Sequence, residues 1–110
     1  MMPDSAVDDI AALALERARR GRPYHEFLRL PAMSAGIYEL TAGASDNQKP
    51  HHEAEIYYVI SGRADFRAGA EVSPVSSGSI LFVAAGVEHR FENITEDLRL
   101  LVVFAPAEST

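Results

Sequence analysis

From Tyr24 onward, apolar and polar positions alternate with a period of two. The alternation runs in short stretches rich in Tyr, Phe, Val, Ile and Leu, punctuated by Gly, Pro, Ser and Asn. It predicts strands near 24–29, 35–40, 55–60, 63–68, 71–75, 79–83, 89–93 and 98–104. The breaks are expected at Leu30–Pro31, Thr41–Asp46, Ser61–Gly62, Ala68–Ala70, Ser76–Gly78 and Ala84–Val87. About eight short strands at this spacing imply an all-β fold, a closed or sandwich-like barrel. The last run, LRLLVVF, is apolar on both faces, so it is expected to be central in the wall or covered by a second subunit.

Ahead of the strands, residues 5–20 carry a helical pattern. Ser5 and Asp8 have capping-box spacing, with Asp in place of Glu. Asp8 and Asp9 fall in the first turn and Arg17, Arg19 and Arg20 in the last, the order the helix dipole favours. Gly21 and Pro23 close the segment. Val7, Ile10, Ala11, Ala14 and Ala18 form a modest apolar stripe suited to packing. The expected division is a helical appendage over 1–22 and a barrel over 23–110.

Length, at 110 residues, restricts the chain to one core. Its longest apolar stretch falls well short of the roughly 20 residues a membrane helix needs, so no membrane partner is expected. The first ten residues carry acids where a secretory signal has basic residues and an apolar run, which makes a cytoplasmic location the expectation. Net charge is −6 with no basic block, which argues against nucleic acid as a partner. There is no cysteine, so disulfides, thiolate catalysis and Cys-based metal sites are all excluded. Any metal must use His, carboxylate or amide ligands.

Three of the four histidines lie in two stretches, Gly43 to Gly62 and Gly78 to Asn93. His51, Glu55 and His89 read there as the halves of one metal site. Two imidazoles and a carboxylate hold a divalent first-row ion while leaving coordination positions open. On a straight strand the backbones of His51 and Glu55 would be about 13 Å apart, so a bend between them is expected if they share an ion. Tyr57 and Phe91 are expected to fill the barrel or line its pocket. Glu53 is expected to support a ligand or form an ion pair, and His25 and His52 to lie outside the site.

These two stretches resemble the paired motifs of the cupins, a family of small β barrels. Gly43, His51, Glu55 and Gly62 fall at the intervals of the first motif, and Gly78, Gly86, His89 and Asn93 at those of the second. The resemblance implies a double-stranded β-helix, or jelly-roll barrel, with one divalent transition metal per chain: iron, zinc, manganese or nickel. It also implies a homodimer and a small-molecule substrate or ligand. Two positions depart from the pattern. Lys49, the only lysine, replaces the first motif histidine, and Ala84 replaces the motif proline. A charged lysine has no free lone pair, so the ligands reduce to His51, Glu55 and His89, with the Gln48 amide oxygen as a lesser candidate. Glu55 and Lys49 are the candidate catalytic groups, Lys49 as an anchor for an anionic substrate or as a base. The function this implies is metal-dependent chemistry on a small molecule, of dioxygenase, decarboxylase, lyase or isomerase type. The alternative is a small binding or sensing module without turnover.

Overall fold

The computed structural model describes residues 4–109, and the start of the expected appendage, residues 1–3, lies outside them. One helix, α1 (Ile10–Arg20), precedes six strands: β1 (Tyr24–Leu30), β2 (Met33–Leu40), β3 (Ala54–Ala68), β4 (Glu71–Ser76), β5 (Ile80–Val83) and β6 (His89–Ala105). α1 is shorter than the pattern predicts. Its cap is Asp9, whose carboxylate accepts from the Ala12 N–H at 3.0 Å, and not Ser5. Asp9 meets the helix where the apolar stripe begins in earnest, at Ile10, whereas Val7 is fully exposed. The helix ends as expected, with Gly21 in the left-handed region.

All strand pairing is antiparallel, in the order β1-β2-β6-β3-β4, with β5 also paired to β3. The run at 98–104 is central, flanked by β2 on one side and β3 on the other. Four of the expected strands merge into two. Residues 55–60 and 63–68 are the two halves of β3, and 89–93 and 98–104 belong to β6. The Ser61–Gly62 punctuation is therefore an irregularity inside a strand, marked by register shifts between Val59 and Asp65. Gly62 has φ +104°, and a side chain there would collide with the Asp97 carbonyl of β6, so only glycine fits this crossing. Asn93 of β6, also at positive φ (48°), a conformation Asn tolerates better than most residues, lies beside Asp65 where the pairing with β3 shifts register. These bends let two long strands contribute to both sides of the barrel.

Alternation then sorts the side chains. Tyr57, Val59, Leu98, Leu100, Val102 and Phe104 point into the core, joined by Phe66, Val83 and Phe91. Their outward neighbours on β3 include Ile56 and Tyr58. α1 packs on β1 and β2.

Candidate metal centre

The site forms at one end of the barrel, where three segments meet. Glu55 lies near the start of β3, opposite Val83 and Phe104 on the flanking strands. His89 is the first residue of β6, and His51 precedes β3, separated from it by a bend at His52–Glu53. That bend is the one the shared-ion geometry requires, since a straight strand would hold the two ligands too far apart.

The three side chains each offer one ligand atom, and these atoms all lie within 4.8 Å of one another. His89 Nε2 is 3.0 Å from Glu55 Oε1, and His51 Nε2 is 3.9 Å from the same oxygen. Two donors sharing an ion at about 2.1 Å each can be up to ~4.2 Å apart, so both separations suit a common cation. Glu55 and His89 are only 2% and 3% exposed. Glu55 Oε1 is buried, and the neighbouring imidazole approaches it closely without giving it a well-directed hydrogen bond among the described residues. A buried carboxylate oxygen left in that state is costly, and a cation between the donors would satisfy it. The residues present thus fit a divalent ion.

The surroundings orient these donors. His89 Nδ1 faces the Val87 carbonyl at 2.9 Å, which places the proton there and turns the Nε2 lone pair inward. Burial alone would lower the His89 pKa, but its contacts with the Glu55 carboxylate and the Val87 carbonyl outweigh this and raise it. Gln48 comes into the site despite its unfavourable strand parity, because it lies in a loop where parity does not apply. Its Nε2 donates to Asp46 Oδ2 at 2.7 Å. Its Oε1 accepts from the Tyr57 hydroxyl at 3.0 Å and lies 3.2 Å from His51 Nε2. Asp46 is the buried hub behind it, accepting also from the Tyr38 hydroxyl at 2.7 Å and the Phe91 N–H at 2.9 Å. The Tyr57 hydroxyl lies 3.2 Å from His89 Nε2, and burial pushes its pKa well up, so it acts as a neutral hydrogen-bonding group.

Above these groups is a cavity of about 170 Å³. Its floor is Gln48, His51, Glu55 and Tyr57; Tyr24, Tyr38, Val102 and Phe104 form the walls, and Glu108 also lines it. The Tyr24 ring lies over Gly36, where any side chain would overlap it, and its buried hydroxyl has no hydrogen-bond partner among the described residues. Of the expected pocket residues, Tyr57 lines the cavity. Phe91 does not; it packs beneath, against Tyr57 and Phe66, with ring centroids 5.1 and 5.0 Å away. Lys49 is exposed and absent from the lining, so it is not brought to the site. Asp46, Val102, Phe104 and Glu108 do not stand out as site residues in the sequence. The inward alternation of 98–104 signals Val102 and Phe104, whereas nothing local marks Asp46 or Glu108.

Fold and site together define a small antiparallel barrel with a two-histidine, one-carboxylate cluster at its mouth. A cupin domain model matches residues 36–104, and the chain belongs to the cupin family. An uncharacterized protein of Streptomyces coelicolor is 52% identical over 97 residues, covering 88% of this chain and 92% of that protein. Among solved structures, TT1209 from Thermus thermophilus superposes with a TM-score of 0.71 at 26% identity, covering 92% of this chain and 97% of that one. The Cnp3 cupin domain of Schizosaccharomyces pombe gives a TM-score of 0.70 at 22% identity over 76% of this chain, which spans 63% of that domain's length. Among the described residues no helix is long and apolar enough to cross a membrane.

Proposed function

We propose that this cupin binds one divalent transition metal through His51, Glu55 and His89 and acts on a small molecule in the cavity above it. The observation that carries this reading is the buried Glu55 Oε1, without a well-directed hydrogen bond yet facing two imidazole Nε2 atoms. Gln48 Oε1 is a fourth donor, an oxygen, within reach of the same space. A bound ion would supply Lewis-acid or oxygen-activating chemistry to a ligand coordinated at its open positions.

The chain's own residues favour a compact substrate. A cavity of about 170 Å³ suits a molecule of few heavy atoms. Aromatic and aliphatic side chains form much of its wall, and the Tyr24 hydroxyl offers an unused hydrogen-bonding group. Tyr57 and Gln48 hold the polar floor in one arrangement, so an incoming ligand meets preset donors and acceptors. Turnover of dioxygenase, decarboxylase, lyase or isomerase type is favoured over storage of a ligand because a three-donor set leaves coordination positions on the ion open to a substrate.

Elemental analysis of protein purified without chelators or a metal-affinity column tests the binding. About one equivalent of iron, zinc, manganese or nickel per chain is expected, with loss in His51→Ala and His89→Ala. Oxygen uptake with a 1,3-dicarbonyl or catechol then separates oxygen chemistry from lyase or isomerase chemistry. Metal-free parent protein that takes up none of these ions overturns the reading.

A further inference from the structure

Basic residues are few and unevenly placed. Arg17, Arg19, Arg20, Arg22 and Arg29 make up half of the 10, in a chain of net charge −6. Three of them, Arg20, Arg22 and Arg29, line an open cleft of about 570 Å³ beside the metal cavity, with His25 and Glu26 on the same wall. Tyr24 and Glu108 line both the cleft and the cavity, so two residues form the partition between them. The backbone of Glu108 is fastened there, its N–H donating to Ser34 Oγ at 2.9 Å and its carbonyl accepting from Arg29 at 2.8 Å. Tyr24 is seated differently. Its ring fills the notch left by Gly36, yet its buried hydroxyl has no hydrogen-bond partner among the described residues. A buried hydroxyl without a partner is costly, and an oxygen supplied by a ligand would satisfy it.

We propose that this arginine cleft is a subsite for an oxyanion, a carboxylate or phosphate group at the far end of the substrate, with the Tyr24 hydroxyl donating to the substrate where the two spaces meet. The substrate is then an extended anion, its reacting end in the cavity and its tail among the arginines. The free donors decide where the tail sits. Arg29 is engaged by Glu26 at 2.9 Å and by the Glu108 carbonyl, and Arg20 by Glu16 at 3.3 Å through Nε. Arg22 lines the cleft with no carboxylate partner among the described residues, so it is the principal anchor. A guanidinium presents paired N–H donors that match the oxygens of a carboxylate or phosphate. Glu26 and Glu108 oppose an anion, but Glu26 is already offset by Arg29, and the arginines outnumber the carboxylates on this wall. Burial, and after it the Glu108 carboxylate, push the Tyr24 pKa up, so its hydroxyl stays a neutral donor. The link between tail and reacting end rests on the metal reading, whereas the oxyanion subsite stands without it.

Nitrogen-15 NMR of the metal-free protein at constant ionic strength tests the subsite with three probes: inorganic phosphate, acetate and neutral acetamide. Phosphate or acetate is expected to shift the amides of residues 20–29 saturably by about 10 mM, and acetamide to leave them in place. The tighter of the two identifies the anionic group. Arg22→Gln should weaken that binding at least about five-fold. Calorimetry on zinc-loaded protein then tests the tail, comparing acetate with succinate, glutarate and adipate. One dicarboxylate should bind about ten-fold tighter than acetate or better. Arg22→Gln and Tyr24→Phe should each remove most of that gain while zinc affinity stays within about two-fold of the parent. Ligand-free Tyr24→Phe should also melt at or above the parent, because an unpaired buried hydroxyl has gone, a result that a packing role would not give. No saturable anion shift in the metal-free parent, or shifts that Arg22→Gln leaves unchanged, overturn the subsite whatever the metal result. A zinc-loaded parent that gains nothing from any dicarboxylate overturns the extended substrate. If the parent binds no zinc, iron, manganese or nickel, the metal reading falls, and the metal-free titration alone decides the cleft.

Discussion

Glu55 Oε1 and His89 Nε2 lie 3.0 Å apart in the buried interior, although in the antiparallel β3–β6 pairing Glu55 stands opposite Phe104 and His89 opposite Ala68, so it is the curling of the sheet into a barrel that joins them. The barrel thus confines a carboxylate away from solvent, an arrangement that lowers stability unless something offsets its charge. Glu55→Gln separates the two effects. Metal affinity should fall at least about ten-fold, because the anionic ligand is gone. The melting temperature of the metal-free variant at mildly alkaline pH should equal or exceed the parent's, because a buried charge has been removed. A variant that loses both metal binding and several degrees of stability would contradict a site in which function is held at a cost to folding.

Gln48 and Lys49 are neighbours with opposite fates. Gln48 reaches His51, Tyr57 and Asp46, whereas Lys49 faces solvent. Restoring the motif histidine by Lys49→His is therefore expected to change metal affinity by less than about two-fold, since a side chain there points away from the donors. Gln48→Ala is expected to weaken binding by about ten-fold through loss of an oxygen donor and of the bond that holds Tyr57. Calorimetric titration of both variants checks this, and a gain in Lys49→His would show that the loop rearranges to bring residue 49 inward.

The barrel is legible in the sequence because the two-residue period survives in nearly every strand, and His51, Glu55 and His89 stand out because their spacing and chemistry are local. What escapes is non-local. The join of 55–60 to 63–68 depends on Gly62 passing the Asp97 carbonyl, a contact between residues 35 apart in the chain. Read locally, the same glycine looks like a turn. Asp46 gains its role only when Tyr38, Gln48 and the Phe91 N–H converge on it, and Glu108 only when the segment after β6 folds back across Ser34 and Glu53. The helix start differs from the expected one: both Ser5 and Asp9 satisfy the local capping rule, and in the structure the Asp9 carboxylate takes the Ala12 N–H, so the helix begins at Ile10.

Gly62→Ala should be among the more damaging single substitutions in the protein. It adds a side chain at φ +104°, against the Asp97 carbonyl, at the bend on which both long strands depend. A loss of about 2–4 kcal/mol is expected in chemical denaturation. Gly43→Ala, whose added methyl would meet open space, isolates the backbone effect and should cost less.

Glu92 accepts from Arg67 on β3 and from Arg90 on its own strand, at 2.7 and 2.8 Å. The hydrogen bond to Arg67, then that to Arg90, holds its pKa below the ordinary carboxylate value. A lowered carboxylate contributes stability that is present above its unfolded-state pKa and lost as pH falls through the folded value. Glu92→Gln should therefore melt slightly below the parent at neutral pH, with the gap closing in acid and shrinking in high salt, because the pair is partly exposed. A gap that persists in acid would assign the effect to packing.

Ile56 and Tyr58 on β3 stand directly opposite Phe82 and Ile80 on β5, and all four face outward. Phe82 is 67% exposed and Ile80 71%. They form a contiguous apolar strip, beside the outward Leu101 and Val103 of β6. Scattered apolar side chains are ordinary on a surface, but a cross-strand cluster of this kind marks a contact. A homodimer that buries this strip is the expected solution state. The double variant Ile80→Lys, Phe82→Lys should then elute and scatter light as a monomer while keeping the parent's β-rich circular dichroism. Because the strip lies on the face of β3 opposite Glu55 and Tyr57, metal affinity should remain within about two-fold of the parent. A parent protein that is already monomeric at high concentration would refute the dimer, and a variant that stays dimeric would move the contact elsewhere on the barrel.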